Sequence, residues 1–424
     1  IGTGLFGTSG EILQSTNNAT VVLILWGVGG LVALTGSLCY AELSSIWPNN
    51  GGEYVYLKNI FGRLPSFLTG WISLLVGFSA SLAITSIIII AYINSLKISS
   101  TLNNPWIQKT LASCIIIFFG FVHFIGVRKG SFIQNILTVL KIVIVLALII
   151  FGLVYIDYSS FSRLSMTYGT GTVSIFKMGI PLLMIMFAYS GWNGASYIAG
   201  EIKDPDKNLP KTMFYGVLII VILYLLTNFV FLMSSPGSDI MGKKAVGAIA
   251  TTNLFGSYIS PFFTISIAII LLSSVSAQIM IGPRVYHAMA EDKVLFPGLT
   301  KLHPKFETPY ISIFLQVLIG VVYVFIGSGF IGGLFTYLGF ALGIFPLLAV
   351  VGLIKIRLKN PEIKGSFRTP LFPLVPLVFI ILTLAMMISS LYFWWGSTRW
   401  ALVIVAAGVV VYYVWQYFLK RTQE

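Results

Sequence analysis

Two glycine-rich stretches interrupt apolar runs: Ile1-Gly2-Thr3-Gly4-Leu5-Phe6-Gly7 at the start, and Phe187-Ala188-Tyr189-Ser190-Gly191-Trp192-Asn193-Gly194 far along the chain. Each glycine weakens a helix by roughly 1 kcal/mol, and clustered glycines let the backbone leave helical geometry. Around them the chain is unusually apolar. Of 424 residues, 57% are hydrophobic and 9% charged, with a mean hydropathy of +0.93. Soluble domains carry roughly 25% charged residues, so a soluble enzyme and a nucleic-acid binder are excluded. Irregular backbone at membrane depth is tolerated only where it is buried in protein or lines a cavity. Two broken spans at corresponding places point to a transporter's binding site.

A span needs about 20 apolar residues. Eleven full candidates fall at 21–47, 65–96, 106–126, 132–156, 173–200, 213–233, 261–286, 311–330, 332–354, 372–395 and 400–419, after a partial one at 1–13. The chain opens without Met inside a glycine motif, so a preceding segment is expected. Gly4 and Gly191 stand 187 positions apart with five spans between them. This predicts two five-span repeats, 1–156 and 173–354, followed by two peripheral spans at 372–419. Five is odd, so the repeats are inverted. With a cytoplasmic N-terminus, 18 basic residues fall inside and 7 outside, and with Lys141 they account for all 26. Basic residues favour cytoplasmic loops, so both termini are expected in the cytoplasm and the +13 net charge reports topology. Cys39 and Cys114 both lie in apolar runs, which argues against a disulfide framework.

The half-helix after Gly4 would aim unpaired N–H groups and a positive dipole end at a carboxylate. Carbonyls released around Tyr189–Gly191 would suit an ammonium group. Facing one another, these describe a site for a zwitterionic amino acid. Lys141 sits ten residues into its span, about 15 Å deep, beyond the reach of snorkelling. No acidic residue sits mid-span to pair with it, so freed first-span carbonyls and the hydroxyls of Ser273, Ser274 and Ser276 are its expected partners. Its expected role is to stand in for a coupling cation or to carry a proton. His123, in the fourth span, reads as a packed neutral histidine.

Several segments together resemble the amino acid–polyamine–organocation superfamily, most closely its L-type (LAT) branch. They are Gly2-Thr3-Gly4-Leu5-Phe6, Leu38-Cys39-Tyr40-Ala41-Glu42-Leu43, Gly51-Gly52-Glu53-Tyr54-Val55-Tyr56-Leu57 and the Gln134-to-Lys141 spacing. Phe187–Asn193, Asn208-Leu209-Pro210, Pro283-Arg284-Val285-Tyr286 and Ala288-Met289-Ala290 complete the set, which covers about 1–310. The resemblance implies an all-α LeuT-like 5+5 inverted repeat plus two spans, twelve in all. It implies that Thr3 and Gly4 meet the substrate carboxylate, with Gly2 also in the substrate site, and that Phe187 is an aromatic gate. Ser190, Gly191 and Asn193 would border the amino end, Ala188 would also line the substrate site, and Tyr224 would serve occlusion. Lys141 matches a lysine that replaces sodium, with Ser274 the matched hydroxyl beside it. The loop Lys97–Pro105 has no cysteine, so no disulfide-linked heavy subunit is expected.

The expected function is sodium-independent exchange or proton-linked transport of neutral L-amino acids across the plasma membrane, by a monomer or weak homo-oligomer. No cofactor, metal or nucleic-acid partner is expected. Neither bend holds Asp or Glu, so a cationic side chain would lack a counter-charge. A polyamine, amine or cationic amino acid carrier is the alternative, followed by a transporter-like sensor. A membrane enzyme ranks last, because three histidines and no mid-span acid offer little acid–base or metal chemistry.

Overall fold

The computed structural model describes residues 2–168, 174–327 and 331–421. Among them there is no strand, only an isolated bridge between Asn18 and Thr167. The helices, in order, are α1 (Thr3–Thr16), α2 (Ala19–Ile46), α3 (Glu53–Phe61), α4 (Arg63–Ile72), α5 (Ser79–Ser95), α6 (Pro105–Phe124), α7 (Val127–Tyr155) and α8 (Ser162–Ser165). After them come α9 (Gly179–Tyr189), α10 (Pro205–Ser234), α11 (Gly237–Ile240), α12 (Val246–Glu291), α13 (Tyr310–Gly327), α14 (Ile331–Lys359), α15 (Leu374–Phe393) and α16 (Trp395–Arg421). Nine helical segments among the described residues are long and apolar enough to cross a membrane. Of the other expected spans, the first is the short α1, the sixth changes geometry within the bundle, and the ninth is α13, a shorter apolar helix.

The ends follow ordinary capping chemistry. Asn18 accepts from the Val21 N–H at the start of α2, and Asn104 accepts from Trp106 with Pro105 opening α6. Asn side chains at this position satisfy one of the orphaned first-turn donors, and proline at the first helical position loses no bond. Large lipid-facing side chains such as Ile136, Val139, Val143 and Ile150 keep one face of α7 exposed, as a bilayer requires. The interior holds aromatic rings. Trp26 of α2 meets Tyr224 of α10 edge-on at 5.3 Å and Tyr189 of α9 at 5.8 Å.

Three expectations change. α1 begins at Thr3 itself, with Gly2 as an extended cap, and not after Gly4. The sixth span does not open at its glycines. It tightens at Ser190 into 3-10 geometry that runs to Glu201. The eighth apolar run belongs to a longer element, 246–291, interrupted at Gly256. The expected limits at Val173 and Phe330 lie outside the described residues.

Candidate functional site

α1 and the α9-to-3-10 junction meet at one cavity of about 250 Å³. Gly2, Gly4, Phe187, Ala188, Ser190, Gly191 and Asn193 all line it, together with Lys141 and Ser274. The Thr3 side chain lies outside the described residues. Tyr224 stands behind the wall. It is 1% exposed and its hydroxyl donates to the Ala188 carbonyl at 3.0 Å. Tyr189 also packs behind, its hydroxyl reaching the Trp26 carbonyl at 3.3 Å.

The first turn of α1 has no side-chain cap. From outside, the Gly2 backbone bonds the Tyr224 hydroxyl, Tyr92 donates to the Phe6 carbonyl at 2.8 Å, and the Ser9 side chain donates to Asn228 Oδ1 at 2.8 Å. Unsatisfied N–H groups at a helix start suit an anion. The 3-10 stretch beside it leaves helical geometry at Ile198, and such stretches often mark a hinge. A Cβ at Gly191 would meet nothing within 4 Å, so this glycine fronts open space.

Lys141 is buried at 8% exposure. Its Nζ donates to Ser274 Oγ at 3.4 Å. The neighbouring serines serve others: Gln134 reaches Ser273 at 3.4 Å, and His123 Nε2 lies 2.9 Å from Ser276 Oγ. Of the three expected hydroxyls, Ser274 is the one described against Lys141. His123 is packed at 4% exposure, as a buried polar neighbour of α12.

A carboxylate on the wall was missed in the sequence. Glu53 opens α3, in the connection between two spans, yet it is only 4% exposed and lines the cavity. Gly51 and Gly52, at φ of 114° and 51°, fold the chain back and thrust it inward. A Cβ on Gly52 would come within 2.8 Å of both Ser196 Oγ and the Tyr197 ring. Glu53 Oε1 accepts from Asn193 Nδ2 at 2.5 Å and from the Tyr197 hydroxyl at 3.1 Å, and Oε2 accepts from Thr69 at 3.3 Å. Adjacent left-handed glycines after a span were the available signal. Thr69 begins a second feature: Thr69, Ser73, Gly77 and Ser81 line the cavity from one long helical segment that takes a π turn at Ser73–Phe78.

Broken and tightened helices converging on a cavity that carries a few polar and charged groups within an apolar bundle define a multi-pass membrane transport protein. The chain belongs to the amino acid permease family, whose model matches residues 1–417, within the superfamily that its motifs resemble. It is similar to the b(0,+)-type amino acid transporter 1 of Mus musculus, 26% identical over 99% of this chain and 85% of the relative. It is 28% identical to the serine/threonine exchanger SteT of Bacillus subtilis, over 97% of this chain and 92% of that one. The human cystine/glutamate transporter is 28% identical over 99% of this chain and 83% of its own length.

Proposed function

We propose that this protein moves neutral L-amino acids across the plasma membrane by alternating access, as a sodium-independent exchanger or proton-linked carrier. The observation that carries the reading is the charge of the cavity wall. Among the described residues it holds one cationic side chain, Lys141, and one anionic, Glu53. A wall of zero formal charge suits a zwitterion whose side chain adds none. The uncapped start of α1 at Gly2–Gly4 would take the carboxylate, and Ser190, Gly191 and Asn193 would border the amino group. Phe187, on the wall at 5% exposure, would close over the bound molecule. Tyr224 would act through the Ala188 carbonyl. Lys141 with Ser274 would occupy the place of a coupling cation.

The relatives are named as transporters of amino acids, which agrees with this class of substrate. A cationic amino acid is disfavoured because the Glu53 oxygens already accept from Asn193, Tyr197 and Thr69. The same reading includes two inverted repeats at 1–156 and 173–354 with peripheral spans at 372–419, both termini in the cytoplasm, and a monomer or weak homo-oligomer without a disulfide-linked subunit. Uptake of labelled L-serine, L-alanine and L-leucine into proteoliposomes tests it. Uptake of none of them would sink the proposal.

A further inference from the structure

We infer that Glu53 is a positioning residue for the substrate ammonium, holding the Asn193 carbonyl oxygen toward the cavity and setting a negative charge behind it. The inference rests on the amino-acid reading above and assigns its amine end. A carboxylate can only accept hydrogen bonds, so the Asn193 atom at 2.5 Å from Glu53 Oε1 is the amide nitrogen. The second amide hydrogen goes to the Tyr197 hydroxyl at 3.2 Å. With both donors committed, Asn193 has its Oδ1 left as an acceptor, on a residue that lines the cavity. Tyr197 closes a triangle by donating to the same Oε1 at 3.1 Å. The amide therefore cannot turn over without leaving a buried carboxylate facing a carbonyl.

Every neighbour fits this role. Thr69 holds the second oxygen from the third span. The Tyr40 hydroxyl, on a residue with 0% exposure, faces the Glu53 carboxylate and interacts with it as a hydrogen-bonding neighbour. Its O–H is a further donor to the carboxylate. The titratable groups facing Glu53 are Tyr40 of α2, Tyr56 of α3 and Tyr197 of the 3-10 stretch. Lys141 shares the cavity from α7. Burial pushes the Glu53 carboxyl above its ordinary range, against the pull of its hydrogen bonds. A group raised in this way is ionised at high pH and neutralised as pH falls toward the raised value. Amine affinity should fall in the same direction.

Wild-type, Glu53→Gln and Glu53→Asp proteins, reconstituted in proteoliposomes, are compared for KM and maximal rate with labelled L-alanine, L-serine and L-leucine across about pH 5 to 8. Loss of a hydrogen bond to a charged group is worth roughly ten- to a hundred-fold. Glu53→Gln is expected to raise KM by about that factor, with the maximal rate kept and KM flat in pH. Glu53→Asp keeps the pH dependence. The wild type shows KM rising toward low pH, a readout that needs no variant and stands even where Glu53→Gln fails to fold. A wild-type KM flat in pH, or a Glu53→Gln protein with unchanged KM, overturns the inference while wild-type uptake leaves the amino-acid reading intact. Absence of wild-type uptake overturns both.

Discussion

Gly4 and Ala188 touch backbone to backbone: a Cβ built on Gly4 would collide with both Cα and Cβ of Ala188. The start of α1 and the end of α9 are thus held at a separation that only glycine permits. The contact is close packing and cavity wall at once, since both residues line the same space. Glycine lets the backbones approach here as small residues do between membrane helices generally.

Gly4→Ala should therefore damage both stability and uptake. Overpacking costs about 1–3 kcal/mol, seen as a lowered unfolding temperature in detergent. Gly191→Ala, which meets open space, should unfold like the wild type and alter only substrate affinity. Equal unfolding temperatures for the two variants would contradict this account.

Tyr224→Phe removes the donor to the Ala188 carbonyl but keeps the ring contacts with Trp26 and Tyr189. An unsatisfied buried partner costs about 1–3 kcal/mol. The variant should fold, with uptake reduced more than stability. Wild-type uptake would remove Tyr224 from the occlusion role.

Lys141→Ala should fold and bind substrate, yet lose transport or its pH dependence. Binding is read by thermal shift with added L-amino acid, and transport by uptake across about pH 5 to 8. Unchanged transport over that range refutes a coupling role.

Arg357 of α14 and Glu42 of α2 form a two-point pair, with Nε to Oε1 at 2.8 Å and Nη2 to Oε2 at 2.6 Å. The Thr369 N–H adds a third bond to Oε2 at 2.8 Å. Glu42 is nearly closed off from solvent. Arg357→Met should cost about 3–5 kcal/mol, because a buried carboxylate is left unpaired. The double variant with Glu42→Gln should recover part of that loss in the same unfolding assay. Additive losses would argue against a coupled pair.

Much of the architecture was legible in the sequence because a bilayer imposes one strong rule: long apolar stretches become helices. Each expected span falls on a helical element, and the family follows from motifs such as Gly2-Thr3-Gly4 and Phe187–Asn193. What hydropathy could not reveal was depth. Glu53 counts as a loop residue by its position, yet Gly51 and Gly52 turn it into the bundle. Counting acids only within spans and bends leaves it out for that reason. Tyr224 was hidden for a different reason. Its neighbours are legible as a helix, but which side of the wall it occupies depends on the packing of Trp26 and Tyr189, and linear spacing carries no record of that. The switch at Ser190 from α to 3-10 geometry is also tertiary, since glycine permits several departures from the helix and does not choose among them.

The π turn at Ser73–Phe78 has a consequence for how the third span could tolerate change. In an α-helix, residues four apart drift steadily round the axis, whereas a π turn holds more residues and lets the drift run back. Thr69, Ser73, Gly77 and Ser81 thus stay in phase along a single line facing the cavity. The extra residue works as a phase corrector between the two ends of the helix. Deleting one residue within the turn would let it revert to α geometry with both ends nearly in phase, whereas deleting a second would rotate one end against the other by about 100°. Hydropathy would be almost untouched, but the polar track would be split between the cavity and the surrounding packing.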